Sequence, residues 1–359
     1  KLKAILHVQR GLPGFSENDL ALMRFCVAYY HAPFGQVALN ALPPAMRAAK
    51  PYVPKLESVV TLTGSGAAAL ADATVPARAV AQRSMLEILR QGPQAEAALR
   101  SRHARAAATL RTLLDKGWVS RGHSPAPPPV ADPLQGMPPG PVLNADQQQA
   151  VEAVTAGFAV FSPFLLSGIT GSGKTEVYLH LIAETLARGR QALVLLPEIN
   201  LTPQFLRHVA QRFPAARIAP QHSGLADVPR LRAWLAAQSG AADIVIGTRL
   251  AVFTPMPRLG LIVVDEEHDA SFKQQEGVRY SARDVAVFRA QQASCPVVLG
   301  SATPSLESIA NVQRGRFVPL SLPRRAVTDA ELPRIDFIDL DRERSQDGLT
   351  GSLVEAIRR

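Results

Sequence analysis

Residues 142–325 predict an α/β fold, an open and parallel sheet with helices wound over both faces. Two observations predict it. Short apolar runs at residues 161–166, 192–196, 244–246, 261–264 and 297–299 are separated by stretches long enough to hold a crossover helix. Each run also passes directly into a polar or glycine-containing stretch at its carboxyl end. That edge of an open α/β sheet is where ligands bind, so several such exits side by side predict a functional cleft there.

The first exit is Gly168-Ile169-Thr170-Gly171-Ser172-Gly173-Lys174-Thr175, which fits the phosphate-loop pattern G-x-x-x-x-G-K-[ST]. Its glycines let backbone N–H groups wrap a phosphate chain, the lysine reaches the β/γ-phosphates and the hydroxyl holds Mg²⁺. Residues 161–166, interrupted by Ser162 and Pro163, enter as a strand. Residues 176–187 leave as a helix whose N-terminus faces the phosphates. The competing reading is a glycine-rich turn with no ligand, and it has to treat the flanking strand and helix as coincidence. The other exits are Pro197-Glu198, Gly247-Thr248-Arg249, Asp265-Glu266-Glu267-His268 and Gly300-Ser301-Ala302-Thr303. A buried strand ending in two acids suits phosphoryl chemistry. Asp265 would hold Mg²⁺, usually through water and together with Thr175, while Glu266 would act as base for the attacking water. One carboxylate alone would read as a solvated acidic turn.

The chain has 359 residues, 47% of them hydrophobic, which is enough for two or three domains with a core that needs no staples. A net charge of +9 points to a polyanionic partner, because Lys and Arg that neutralise phosphates gain affinity from released counterions. Its two cysteines, Cys26 and Cys295, lie far apart and predict buried thiols, not a disulfide framework or a metal cluster. No apolar run has the roughly 18 to 20 residues that would span a bilayer, so a soluble, cytoplasmic protein with no membrane partner is expected. The chain starts at Lys1 without Met and stops in a basic, helical stretch, as a piece of something longer would.

Upstream of the sheet, residues 1–56 hold a strand-like run at 2–8 and a helix over 17–30 that opens at Ser16-Glu17-Asn18-Asp19. The cluster Tyr29-Tyr30-His31 suits either a small core or base stacking, and the core is the commoner use. Residues 57–123 are alanine-rich and predict short helices at 83–90, 94–100 and 105–115, then a strand from Trp118. That order matches a winged helix, a helix-turn-helix relative that meets DNA, with a plain helical spacer as the alternative. Residues 124–141 are so rich in Pro and Gly that they predict a linker with no part in a core.

The phosphate loop, Asp265-Glu266-Glu267-His268 and Gly300-Ser301-Ala302-Thr303-Pro304-Ser305 resemble motifs I, II and III of superfamily 2 helicases. Pro197-Glu198-Ile199-Asn200-Leu201-Thr202-Pro203-Gln204, Gly247-Thr248-Arg249 and Phe272-Lys273-Gln274-Gln275-Glu276-Gly277 resemble, more narrowly, the primosomal protein N′ family of bacterial replication-restart helicases. The resemblance implies a P-loop NTPase sheet of the RecA-like kind as the first helicase lobe over 142–325. It would be preceded by the end of a DNA-binding domain over 1–56 and a winged helix over 57–123, and followed by the start of a second lobe over 326–359. It assigns Gln147 to the adenine, Thr202, Thr248 and Arg249 to the phosphates of one DNA strand, and Ser301 and Thr303 to relaying nucleotide state between lobes. Phe272 and Tyr280 fall in an aromatic-rich loop that would stack on bases and couple DNA to hydrolysis, a contact worth about 1 to 3 kcal/mol per base. Val278 stands where some relatives carry an aromatic, which implies one stacking contact fewer. The bland readings are a solvated helix start for Gln147, a surface ion pair for Arg249, a structural turn for Ser301 and Thr303, and core packing for Phe272 and Tyr280.

The resemblance therefore implies an ATP- and Mg²⁺-dependent 3′-to-5′ DNA helicase that recognises forked or single-stranded DNA and starts primosome assembly at stalled replication. Its partners would be replisome-loading and single-stranded-DNA-binding proteins, its state a monomer and its place the nucleoid. The rivals are a translocase that does not unwind and a replisome-loading scaffold that uses ATP only as a switch. The family's zinc module, its arginine finger and most of its second lobe would lie beyond Arg359. On that basis residues 1–359 are expected to bind DNA and nucleotide with almost no DNA-stimulated hydrolysis.

Overall fold

The computed structural model describes residues 14–47, 57–72, 74–76, 78–90, 92–100, 105–124, 132–198, 200–201, 203–326, 335–343 and 345–358. The strand-like run at 2–8, Thr202 and the first half of the Pro-rich stretch lie outside the described residues. At the centre is a seven-stranded sheet whose neighbours all pair in parallel. Its strands in chain order are β1 (Ser162–Gly168), β2 (Gln191–Leu195), β3 (Ile218–Gln221), β4 (Ile244–Gly247), β5 (Leu259–Val264), β6 (Pro296–Ser301) and β7 (Val318–Leu322). The spatial order is β7-β1-β6-β5-β2-β4-β3. The carboxyl ends of β1, β6 and β5 therefore lie side by side.

Strand residues alternate between two apolar layers, which is why the central strands read as continuous apolar runs in sequence. Leu165, Leu193, Val245, Ile262, Val264 and Leu299 share one layer with the helix Ala282–Ala293. Phe164, Leu166, Val194, Ile246, Val263 and Val298 share the other with the helices Ala145–Ala156 and Lys174–Ala187. The sequence predicted five strands, and β3 and β7 are additional. Both are edge strands, partly exposed and each carrying a proline, so neither has the apolar run that marks a buried strand.

Among the described residues, 14–47 form no separate core. Leu22, Met23 and Cys26 of the helix Glu17–Tyr30, with Val37 and Ala41, are buried in the layer that holds Val285 and Ala286. Phe25 stacks on Phe288 with ring centroids 3.8 Å apart, and Tyr30 Oη accepts from the Ser281 backbone N–H at 3.2 Å. Residues 57–124 do have their own core, built on Val60, Leu86, Leu99, Leu110 and Leu113. In it Glu57–Leu62 pairs antiparallel with both Gln94–Ala95 and Val119–Ser124. Helices Val80–Arg90, Glu96–Arg100 and Ala106–Asp115 pack against that small sheet.

The second half of the Pro-rich stretch corrects the expectation of a linker free of the core. Leu134 and Met137 pack against the layer of Phe164 and Leu166, and Arg212 Nη1 donates to the Pro138 carbonyl at 2.8 Å. A Cβ at Gly140 would overlap the Arg212 guanidinium, which would then have to shift. Proline and glycine exclude regular structure here, but they do not exclude docking by side chains.

Candidate active site

The phosphate loop joins β1 to the helix Lys174–Ala187. Gly171 and Gly173 have φ of +79° and +81°, a left-handed conformation that costs glycine nothing and sets the loop's curl. Lys174 Nζ donates to the Gly168 carbonyl at 3.0 Å and stands 3.6 Å from Glu266 Oε1. Gln147 is buried beside the loop: its Nε2 donates to the Ser172 carbonyl at 3.0 Å and its Oε1 accepts from the Asn144 N–H at 2.9 Å. The side chain is thus engaged in a helix cap and in the loop, and it meets a base only if those bonds change. Downstream of β7 the chain returns to the same place, where the Ala326 N–H donates to the Gly171 carbonyl at 2.9 Å and Arg324 Nε meets Asp146 Oδ2 at 2.8 Å.

The acids follow β5. Asp265 Oδ1 accepts from the Tyr178 hydroxyl at 2.9 Å. Burial raises the pKa of its carboxyl above the ordinary aspartate range and Glu266 adds to the rise, while Tyr178 and Lys174 oppose it. Glu266 has φ of +47°, a strained conformation for a non-glycine residue, and it is held beside Lys174. His268 Nδ1 lies 2.7 Å from Ser301 Oγ and 3.6 Å from Glu266 Oε2, and its Nε2 lies 3.3 Å from Thr303 Oγ1. The Thr303 N–H donates to Ser301 Oγ at 2.9 Å, so Ser301 and Thr303 are both brought against the acidic box. Glu267 points the other way: its side chain is fully buried and accepts from Ser305 N–H, Ser305 Oγ, Ser308 Oγ and Arg283 Nη1.

Thr175 and Asp265 line one cleft together with Asn200, Gln204 and His208. A hydroxyl and a carboxylate are hard oxygen donors of the kind Mg²⁺ takes, the remainder coming from water and phosphate oxygens. Among the described residues no group of three or more His, Cys, Asp or Glu side chains could hold a metal ion. The Ser172 hydroxyl, buried in the loop without a hydrogen-bond partner, is a donor left over for a phosphate oxygen. The residues therefore fit a Mg²⁺-nucleotide.

A DEAD/DEAH box helicase family model matches residues 144–312, the span that carries the phosphate loop, the acidic box and the Ser301 and Thr303 contacts. Replication restart protein PriA of Haemophilus influenzae is 38% identical over 365 aligned positions, which cover 100% of this chain and 49% of that protein. The proteins of the same name from Bacillus subtilis and Synechocystis sp. are 41% and 42% identical, covering 66% and 67% of this chain and 29% of each relative. The chain is similar along its whole length to a PriA-type protein and, over residues 144–312, to DEAD/DEAH box helicases. It spans about half the length of the first of these relatives and less than a third of the other two.

Against the PriA-type pattern, the residues expected to meet DNA fare unevenly. Thr202 lies outside the described residues. Thr248 is buried at the end of β4, with its N–H donating to the Gln221 carbonyl. Arg249 turns inward, where its Nη1 donates to the carbonyls of Ser271 at 2.7 Å and Lys273 at 3.3 Å. It ties down the 270–273 turn with a half-buried side chain. The expected base stacking by Phe272 and Tyr280 is corrected as well. They are 2% and 0% exposed, and Tyr280 packs edge-on against Phe253 with centroids 5.0 Å apart. Val278, expected to leave one stacking contact fewer, is buried in the same layer. A Lys273–Ser281 bridge and the Gln274 N–H to Tyr280 carbonyl bond fold the loop back on itself, and that brings these side chains inside.

Sequence reasoning missed Tyr178 and the role of Glu267. Tyr178 did leave a signal, because it stands four residues after Lys174, the spacing that places two helical side chains on one face. Glu267 left none beyond its place in the box, since its partners Ser305 and Ser308 lie far downstream.

Proposed function

We propose that this chain is the ATP-binding part of a DNA helicase that hydrolyses ATP, moves 3′ to 5′, recognises forked DNA and restarts stalled replication by starting primosome assembly. The observation that carries the reading is the approach of Lys174 Nζ to within 3.6 Å of Glu266 Oε1, with Asp265 held beside them. Binding, metal-holding and base functions converge there from the ends of β1 and β5, the two strands that flank β6. Lys174 would clamp the β/γ-phosphates, Thr175 and Asp265 would hold Mg²⁺, and Gly168, Ile169, Thr170, Gly171, Ser172 and Gly173 would wrap the phosphates with backbone N–H groups and the Ser172 hydroxyl. Bound Mg²⁺ would neutralise charge on the β- and γ-oxygens. Glu266 would take a proton from the attacking water, and His268 would link that event to Ser301 and Thr303.

Domain roles follow from the same reading: 1–56 as the end of a DNA-binding domain, 57–123 as a winged helix, 124–141 as a connection whose second half docks on lobe 1 through Leu134 and Met137, 142–325 as lobe 1 and 326–359 as the start of lobe 2. DNA is the proposed partner, and the net charge of +9 supports a polyanion. Among the described residues no helix is long and apolar enough to cross a membrane. The proposed location is the cytoplasm, at the nucleoid.

The test uses the full-length protein and measures strand displacement on forked DNA beside translocation and ATPase assays. Unwinding that Lys174→Ala abolishes is expected. Translocation without displacement would replace the reading with a translocase, and fork binding with neither activity would replace it with a scaffold.

A further inference from the structure

A tyrosine is buried one turn into the phosphate-loop helix. Tyr178 is 3% exposed and its hydroxyl donates to Asp265 Oδ1 at 2.9 Å. The helix places it one turn after Lys174, so the same element that carries the phosphate-binding lysine also reaches the acid at the end of β5. The neighbouring strand β6 makes room for this contact. A Cβ at Gly300 would stand 1.7 Å from Tyr178 Oη and 2.9 Å from its Cζ, well inside any tolerable contact. Any side chain at position 300 would displace the hydroxyl from the carboxylate. Gly300 has ordinary strand pairing, with Leu166 opposite, so its lack of a side chain is explained by this approach and not by backbone conformation.

We propose that Tyr178 is a positioning residue for Asp265, holding one carboxylate oxygen so that the other is presented to the Mg²⁺ site beside Thr175, with Gly300 as the gap that admits the hydroxyl. The inference rests on the nucleotide-hydrolysis reading. A carboxylate that meets its metal through water depends on its orientation, and outer hydrogen-bond partners of this kind typically change metal affinity or activity 10- to 100-fold when removed.

The experiment compares wild type, Tyr178→Phe, Gly300→Ala and Lys174→Ala in the full-length protein. A fluorescent ATP analogue is titrated with and without Mg²⁺, and ATP hydrolysis is followed as Mg²⁺ is varied. Tyr178→Phe keeps the ring and removes only the donor. It is expected to leave Mg²⁺-free nucleotide affinity unchanged while raising the Mg²⁺ concentration for half-maximal hydrolysis about 10-fold. Gly300→Ala should shift the same quantity in the same direction. An unaltered Mg²⁺ requirement in Tyr178→Phe, with Lys174→Ala inactive, would overturn the positioning role alone and leave Tyr178 a core residue. Full hydrolysis by Lys174→Ala would overturn the nucleotide reading and this inference with it.

Discussion

Glu267 offers the sharpest test of how the acidic box is anchored. Its carboxylate has no solvent exposure and accepts Ser305 N–H at 2.7 Å, Ser308 Oγ at 2.8 Å, Ser305 Oγ at 3.0 Å and Arg283 Nη1 at 3.1 Å. Replacing it with alanine removes every one of these acceptors and opens a polar void. Arg283 is not orphaned, because Asp284 lies 3.1 Å away and Glu307 3.9 Å away. The loss therefore falls on the Ser305 N–H and the two hydroxyls. Hydrogen bonds to a charged group contribute about 1.5 to 3 kcal/mol each, and breaking a buried ionic network by removing one member costs about 3 to 5 kcal/mol in total. For a unit of this size, 1 kcal/mol moves the melting temperature by about 2 to 4 °C, so Glu267→Ala should lower it by on the order of 10 °C. Glu267→Gln should fall between wild type and alanine. Whichever way its amide is turned, an NH₂ group faces either the Ser305 N–H or the Arg283 guanidinium, so one donor-donor clash remains. Circular dichroism melts of the three proteins decide the matter. A Glu267→Ala melting temperature within about 2 °C of wild type would show that the network contributes little and that the box is anchored elsewhere.

Three further outcomes are expected. Glu266→Gln should bind nucleotide with Mg²⁺ through Lys174 yet lose most hydrolysis, because the amide cannot take the proton from water; single-turnover kinetics beside a binding titration check this, and a loss of binding would mark Glu266 as structural. Phe272→Ala with Tyr280→Ala should destabilise the fold by several kcal/mol, since each leaves a cavity costing about 3 to 5 kcal/mol. Basal and DNA-stimulated ATPase should then fall together, whereas loss of stimulation alone would mean that the rings reach DNA. Because burial raises the Asp265 pKa, the metal-free fold is stabilised by the neutral acid below the unfolded value near 3.9, and that contribution is lost as pH rises through the higher folded value. Asp265→Asn should therefore gain melting temperature over wild type as pH is raised from about 4 towards 7, and a difference that stays constant with pH would contradict the burial effect.

The sequence alone determined those features whose physical cause is local or periodic. Central strands buried on both faces must be apolar throughout, so β1, β2, β4, β5 and β6 were legible as runs; β3 and β7 were not, because an edge strand needs neither an apolar run nor every backbone donor, and each tolerates a proline. The phosphate loop was legible because Gly171 and Gly173 serve a backbone requirement that is met within the loop itself. Tertiary structure decided everything that depends on where a side chain meets a distant partner. Phe272 and Tyr280 suit base stacking and core packing equally well as amino acids, and only the folding back of their loop buried them. Arg249 suits a DNA phosphate and a peptide carbonyl equally well, and the nearness of Ser271 and Lys273 chose the carbonyls. Tyr178 meets Asp265 across 87 residues of chain, and Glu267 meets Ser305 and Ser308 across 38 and 41. Contacts at such separations arise from the order β7-β1-β6-β5 within the sheet, which sets strand ends side by side without leaving any period in the sequence.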